Sequence, residues 1–192
     1  MTLPEEGDMK KNIIFLDVDG VLNGHKGSEM IGRVLGVDDD KLLRLKTITD
    51  AMDADIVLSS TWREFWDPEL KNDGVNNWLG TSKKRYGRYL NLRFTDAGLE
   101  IIDKTDDIDW FRRSEEIITY LITHEEIENF LILDDEDFKW MEHGLSDNWV
   151  STGVGDIHLC HFGDGIKDKH VSDALRRYER GSLKRKPKYV IR

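Results

Sequence analysis

Two acidic side chains, Asp17 and Asp19, end an apolar run in the stretch IIFLDVDGVLN at residues 13–23, and Gly20 follows at once. A soluble core has no need for two like charges at the end of a buried segment. Carboxylates that converge in a partly buried site repel one another and require a cation or extra protons to persist. The spacing therefore indicates a functional site rather than a structural one.

Two further apolar segments also end in polar groups. Ser59 and Ser60 end IVLSS, and Asp134 and Asp135 end FLILDD. Because ligands bind at the carboxyl ends of the strands in an open α/β sheet, we expect these groups to converge with the first two aspartates. A site rich in oxygen ligands and without cysteine suits Mg²⁺, which often joins a substrate phosphate.

The elements that must position these groups follow a βαβ pattern. Short apolar runs predict buried strands at 12–16, 55–59 and 129–135, and a helix over 39–53 separates the first two. This order implies a parallel sheet. Shorter or weaker patterns predict strands at 98–105 and 148–152, helices at 112–124 and 170–180, and loops with short helices over 61–98. The expected fold class is α/β, a Rossmann-like parallel sheet flanked by helices.

Length and composition favour one domain. The chain has 192 residues, 39% of them hydrophobic, with no apolar window long enough to span a membrane. One cysteine, Cys160, excludes an internal disulfide framework, so we expect a cytoplasmic protein. We predict a flexible leader over 1–11, a domain over 12–176 and a basic tail over 177–192. Although the net charge is −10, this tail is rich in Lys and Arg, so it is either a solvated terminus or a nucleic-acid contact.

The three polar strand ends, in this order, resemble the haloacid dehalogenase (HAD) superfamily. Its first, second and fourth motifs are similar to FLDVDGVLN, IVLSS and FLILDD. Within the superfamily, the segments SSTWR, IDKT, RSEEI and GDGI of this chain resemble the small phosphatase-like group found in RNA-repair proteins. The polynucleotide kinase 3′-phosphatase domain is a more distant relative. The resemblance covers about residues 12–176.

The resemblance implies a Mg²⁺-dependent phosphatase that works through an aspartyl phosphate. Asp17 would be the nucleophile, and Asp19 would protonate the leaving oxygen and then activate water. Their environments must differ, so that Asp17 stays ionised on the metal while Asp19 holds a proton. Asp19 would bind the metal through its backbone carbonyl. Asp135 is the preferred second metal ligand, and Asp134 either shares that role or orients the site.

The resemblance also implies a hydroxyl and a cation beside the phosphate. Ser59 would hydrogen-bond the phosphoryl oxygens, with Ser60 as the alternative. The third-motif cation is either Arg113 or Lys104. Position favours Arg113, which would replace the usual lysine and can grip phosphate through two N–H groups.

Substrate contacts are expected just past the first two strands, at Gly20, Trp62 and Arg63. Trp62 and Arg63 could stack on a base and clamp a phosphate, or they could be a packed aromatic and a surface ion pair. The motif spacing leaves room for a small lid over 61–98 and for no large cap domain. An open site suits a nucleotide or a polynucleotide end. The alternatives are a catalytically silent module that binds nucleic acid or a protein partner, and a small-molecule or phosphoprotein phosphatase.

Overall fold

The computed structural model describes residues 11–24, 28–68, 82–108, 112–153 and 164–185. In chain order the strands are β1 (Asn12–Leu16), β2 (Met30–Ile31), β3 (Val34–Leu35), β4 (Asp55–Leu58), β5 (Ile101–Lys104), β6 (Asn129–Asp134) and β7 (Trp149–Ser151). The helices are α1 (Asp39–Met52), α2 (Ser82–Asp96), α3 (Arg113–Thr123) and α4 (Asp168–Glu179), with a short 3-10 helix at Thr61–Glu64. Over these ranges, no helix is both long enough and apolar enough to cross a membrane.

Five strands form one parallel sheet in the order β5, β4, β1, β6, β7. The predicted α/β fold with a parallel sheet and flanking helices is confirmed. The central strand β1 is in register with both neighbours, because Leu16 is paired with Leu58 on one side and with Leu133 on the other. This register brings the residues that follow the three strands to the same edge of the sheet.

Both faces of the sheet are covered, as the continuous apolar runs predicted. Ile14 and Leu16 of β1 pack with residues of α1, α2 and α4, whereas Ile13 and Phe15 pack with α3 on the other face. Side chains alternate between the faces of a strand, so a strand buried on both sides must be apolar throughout. The burial of β1 therefore holds its carboxyl end rigidly in the middle of the sheet edge.

The segment 61–98 differs from the expected loops and short helices. It contains the 15-residue helix α2, which buries Leu90 and Phe94 in the core. The basic run at 83–88 belongs to this helix, because Lys and Arg are good helix formers, and Tyr86, Leu90 and Phe94 recur at helical spacing. Residues 69–81 of this segment lie outside the described ranges.

The predicted boundary of the C-terminal tail at residue 177 falls inside α4. Beyond this helix Leu183 is fully buried, Lys184 forms an antiparallel bridge with Asn129, and the Arg185 N–H donates to the Glu128 carbonyl at 2.8 Å. The folded part therefore extends to Arg185. The rest of the predicted tail, and residues 1–10 of the predicted leader, lie outside the described ranges.

Candidate active site

Three carboxylates converge at the carboxyl edge of the sheet. Asp17 follows β1, Asp134 ends the neighbouring strand β6, and Asp135 comes next. One oxygen from each lies within 4.8 Å of the others. The backbone holds this edge together, because the Asp17 N–H donates to the Leu133 carbonyl at 2.9 Å. Asp17 and Asp134 are buried and Asp135 is half-buried, so the cluster is largely removed from water.

The Arg113 guanidinium lies between two of these carboxylates. It extends from the first turn of α3, and its Nη1 donates to Asp17 Oδ1 at 3.0 Å and to Asp134 Oδ2 at 2.7 Å. The guanidinium also lies over the ring of Phe138, 4.4 Å from the ring centre. When all three carboxylates are ionised, one guanidinium leaves two negative charges, which is the charge that a divalent cation would neutralise.

The surroundings of Asp17 and Asp134 raise the pKa of both side chains. Burial raises the pKa of Asp17 well above its ordinary value, and Arg113 offsets only part of the rise, to which the Asp134 and Asp135 carboxylates add. Burial also raises the pKa of Asp134, against the effect of Arg113. A hard cation with oxygen ligands, such as Mg²⁺, fits this donor set, because it would favour the ionised carboxylates.

The Asp19 carboxylate belongs to a different environment. Its Oδ1 accepts a hydrogen bond from Asn23 Nδ2 at 2.8 Å, and its Oδ2 accepts one from Trp62 Nε1 at 3.0 Å. Both donors are neutral, and the side chain is half-buried. The two aspartates of the first motif therefore differ in their surroundings, as the division of roles inferred from the sequence requires.

Gly20 is a turn residue that allows the loop after β1 to approach Asp135. Its φ of 76° lies in the left-handed region, and a Cβ at this position would lie 2.1 Å from Asp135 Oδ2. Its N–H donates to Asn23 Oδ1 at 2.9 Å, and its carbonyl accepts from Thr152 Oγ1 at 2.8 Å. The observed partners of Gly20 are thus residues of the site itself, and its predicted contact with phosphate stays a prediction.

Ser59 and Ser60 are both fully buried but differ in their partners. Ser60 Oγ accepts from the N–H of Trp62 at 3.3 Å and caps the 3-10 helix, and it lies 3.4 Å from the N–H of Val18. Ser59 Oγ has no hydrogen-bond partner among the described residues. Since buried hydroxyls are normally hydrogen-bonded, the lack of a partner singles out Ser59 from Ser60. The predicted contact of Ser59 with phosphate stays a prediction.

The structure contradicts the predicted substrate contacts of Trp62 and Arg63. The Trp62 side chain is 1% exposed, which leaves no face on which a base can stack. Arg63 is also buried, and its two terminal nitrogens donate to the Glu116 carboxylate at 2.6 and 2.9 Å. The alternative of a packed aromatic and an ion pair is the one observed, except that the ion pair is in the interior and not on the surface.

The two candidates for the third-motif cation lie in different places. Lys104 Nζ donates to the backbone carbonyls of Arg63 at 3.0 Å and Trp66 at 2.7 Å, which ties β5 to the segment after β4. Arg113 instead contacts Asp17 directly. The geometry therefore favours Arg113 over Lys104.

Arg63→Ala should lower the free energy of unfolding by about 3–5 kcal/mol, because it leaves the buried Glu116 carboxylate without its partner. Urea denaturation followed by circular dichroism measures this change. Arg112→Ala is the control, since it removes a partly exposed ion pair between Arg112, just before the same helix, and Glu115, and should cost less than about 1 kcal/mol. Equal losses in the two variants would contradict the buried pair.

Sequence reasoning missed two side chains of the site. Asn23 is fully buried and joins Asp19 to the backbone of Gly20. Thr152 follows β7 and contacts the Gly20 carbonyl. A signal for Thr152 was present, because it is a polar residue just past a strand, as Asp17 and Ser59 are. The role of Asn23 depends on a turn that the residue pattern alone does not specify.

A family model described as the HAD domain in Swiss Army Knife RNA repair proteins matches residues 13–155. The chain belongs to this family. Neither the curated proteins nor the solved structures searched contain a match. The matched range includes the whole carboxylate cluster, Arg113 and both serines, and the resemblance inferred from the sequence is confirmed.

Membership in the HAD family suggests a phosphatase-type activity and a role in RNA repair. Domains of this family usually use a metal, and the cluster of Asp17, Asp134 and Asp135 is a set of residues that could hold one. The family therefore agrees with the chemistry that the excess negative charge of the site indicates.

Proposed function

We propose that this HAD domain is a Mg²⁺-dependent phosphomonoester hydrolase that acts on a nucleotide or a polynucleotide end. The observation that carries the proposal is the position of Arg113, whose Nη1 donates to both Asp17 and Asp134 beside a third carboxylate. A site with this arrangement attracts both a divalent cation and a phosphate. Asp17, Asp134 and Asp135 would hold Mg²⁺, together with the Asp19 carbonyl.

The first step would form an aspartyl phosphate. A carboxylate oxygen of Asp17 attacks the phosphorus, and the bond from phosphorus to the leaving oxygen breaks. Asp19 donates its proton to that oxygen, which departs as an alcohol. Arg113 and the Ser59 hydroxyl stabilise the charge on the transferring phosphoryl group, for which bound Mg²⁺ would supply further charge neutralisation.

The second step would release inorganic phosphate. Asp19, now ionised, takes a proton from a water molecule, whose oxygen attacks the phosphorus of the aspartyl phosphate. The bond between phosphorus and the Asp17 oxygen breaks, and the Asp17 carboxylate is restored. The same side chain serves as acid and then as base, which is possible because its proton is returned in every cycle.

A terminal phosphate on a bulky substrate is supported by the insertions around the site. Between β1 and α1 the described insertion is the small hairpin of β2 and β3, which Tyr86 and Tyr89 fasten to α2 through the N–H groups of Arg33 and Val37. Helix α2 itself packs into the core. In the described ranges these insertions do not form a separate cap domain, and a family found in RNA repair favours a polynucleotide end.

A substrate panel tests the proposal. We expect an aryl phosphate to be hydrolysed with Mg²⁺ and not with EDTA, and a 3′-phosphorylated oligonucleotide to have a higher kcat/KM than a mononucleotide or a phosphopeptide. Phosphate release measured at matched concentrations of each substrate decides between them. Absence of hydrolysis throughout the panel would overturn the proposal. Oligonucleotide binding without hydrolysis, unchanged in Asp17→Asn, would instead support the silent binding module.

A further inference from the structure

We infer that Trp62 and Asn23 are positioning residues for Asp19, an inference that rests on the function proposed above. Each oxygen of the Asp19 carboxylate accepts one N–H group, from Trp62 Nε1 at 3.0 Å and from Asn23 Nδ2 at 2.8 Å. Two donors on opposite oxygens fix both the rotamer and the plane of a carboxylate. A proton donor must be held within hydrogen-bond reach of the atom that receives the proton, and small misplacements are costly.

The Trp62 indole is held rigidly in place. Its ring makes edge-to-face contacts with Phe65 and Tyr86, with ring centres 6.0 and 6.5 Å apart. Its backbone N–H donates to Ser60 Oγ in the cap of the 3-10 helix. Only two residues separate β4 from the 3-10 helix, so the indole is positioned by the same sheet that carries Asp17.

The orientation of the Asn23 amide is fixed by its other partners. Its Oδ1 accepts from the Gly20 N–H at 2.9 Å, and its Nδ2 lies 3.3 Å from the Leu35 carbonyl. A flipped amide would place its NH₂ group against the Gly20 N–H, so the nitrogen must face Asp19. Asn23 is fully buried, and water does not compete for these hydrogen bonds.

Both donors therefore present only N–H groups to Asp19. An indole N–H has no lone pair to accept a proton, and the Asn23 amide nitrogen is a donor in this orientation. A proton carried by Asp19 cannot be directed at either neighbour. It occupies a remaining lone pair of the carboxylate, which faces away from Trp62 and Asn23, and the two residues thus direct the acid toward the reacting oxygen.

The inference predicts that variants of the two positioning residues lose catalytic rate to a degree that depends on the leaving group of the substrate. A poor leaving group, such as an alkoxide, needs the proton from Asp19, whereas a dinitrophenolate departs without it. In Trp62→Phe, which keeps a buried ring and removes the N–H, single-turnover release of the alcohol from an alkyl phosphate should slow about tenfold, part of the 10²–10⁴-fold that general acid catalysis supplies. Release of dinitrophenolate should change less than about twofold, and KM should be unchanged for both substrates.

Trp66→Phe is the matched control. Trp66 is equally buried, and its Nε1 donates to Asn91 Oδ1 at 2.6 Å instead of to Asp19. Loss of the Trp66 N–H should change the rates for the alkyl and the dinitrophenyl phosphate equally. Asn23→Ala tests the second donor and should show the same leaving-group dependence as Trp62→Phe, with circular dichroism to confirm folding.

The outcomes separate this inference from the proposed function. Equal slowing of both substrates in Trp62→Phe, or the same leaving-group response in Trp66→Phe, would overturn the positioning role while leaving the hydrolase intact. A wild-type protein that hydrolyses neither of these phosphates nor any member of the substrate panel would overturn the proposed function, and the inference with it. The inference is supported if Trp62→Phe slows release from the alkyl phosphate selectively and Trp66→Phe does not.

Discussion

Asp17→Asn should abolish phosphate release while leaving the protein folded. Asparagine has nearly the same volume as aspartate but lacks the anionic oxygen that would attack phosphorus. We expect kcat to fall by at least about 10⁴-fold, the scale of losses seen when a nucleophile is removed. The fold should survive because Arg113 keeps its second contact, to Asp134 Oδ2 at 2.7 Å. Release of inorganic phosphate from an aryl phosphate in the presence of Mg²⁺ measures the effect.

The stability of Asp17→Asn provides an independent readout. Because burial raises the pKa of Asp17, and Asp134 and Asp135 raise it further, its charge is unfavourable in the metal-free fold. The variant should therefore have an unchanged or higher melting temperature without Mg²⁺, and a smaller increase on adding Mg²⁺ than wild type. Asp137→Asn is the control, because its exposed carboxylate accepts only from the Trp140 N–H among the contacts observed and lies outside the cluster. Turnover that persists in Asp17→Asn would exclude an aspartyl phosphate at this residue.

Arg113→Ala should lose both activity and stability. Without the guanidinium, the Asp17 and Asp134 carboxylates are buried without a positive partner, which should cost about 3–5 kcal/mol of unfolding free energy. Removal of one charge-stabilising donor should lower kcat by about 10²–10³-fold. The stability loss should shrink in saturating Mg²⁺, because the cation replaces part of the missing positive charge. Thermal unfolding at several Mg²⁺ concentrations, with parallel kinetics, measures the two effects.

Two other variants distinguish the role of Arg113 from that of any buried cation. Arg113→Lys keeps the charge but has one nitrogen to share between two carboxylates, so its losses should lie between those of wild type and Arg113→Ala. Lys104→Ala removes contacts to the carbonyls of Arg63 and Trp66 and should change stability more than kcat. The opposite pattern, with turnover lost in Lys104→Ala and kept in Arg113→Ala, would show that the third-motif cation is Lys104.

The sheet and the carboxylate cluster were predictable from sequence for the same physical reason. A strand buried on both faces must be apolar along its whole length, so β1, β4 and β6 are evident without any knowledge of their partners. A polar residue just past such a run must lie at the carboxyl edge. This single rule locates Asp17, Ser59 and Asp134 together, although they are far apart in the chain.

The contact partners of the longer side chains could not be predicted in this way. Trp62 and Arg63 are adjacent in sequence, yet Trp62 turns to Asp19 and Arg63 to Glu116. Each partner is more than 40 residues away, and nothing in the local pattern specifies which one is within reach. Helix α2 was missed for another reason, since its charged residues outnumber the three apolar positions that indicate its period.

Three contacts of the candidate site connect distant parts of the chain. Arg113 and Asp17 are 96 residues apart, Trp62 and Asp19 are 43 apart, and Thr152 and Gly20 are 132 apart. Contacts this far apart close large loops, and chains dominated by them fold slowly. No fragment of the sheet can hold the site, because β1 must first be paired with both β4 and β6. Recovery of catalysis during refolding should consequently lag behind recovery of helix signal, which makes enzyme activity a probe of the last stage of folding.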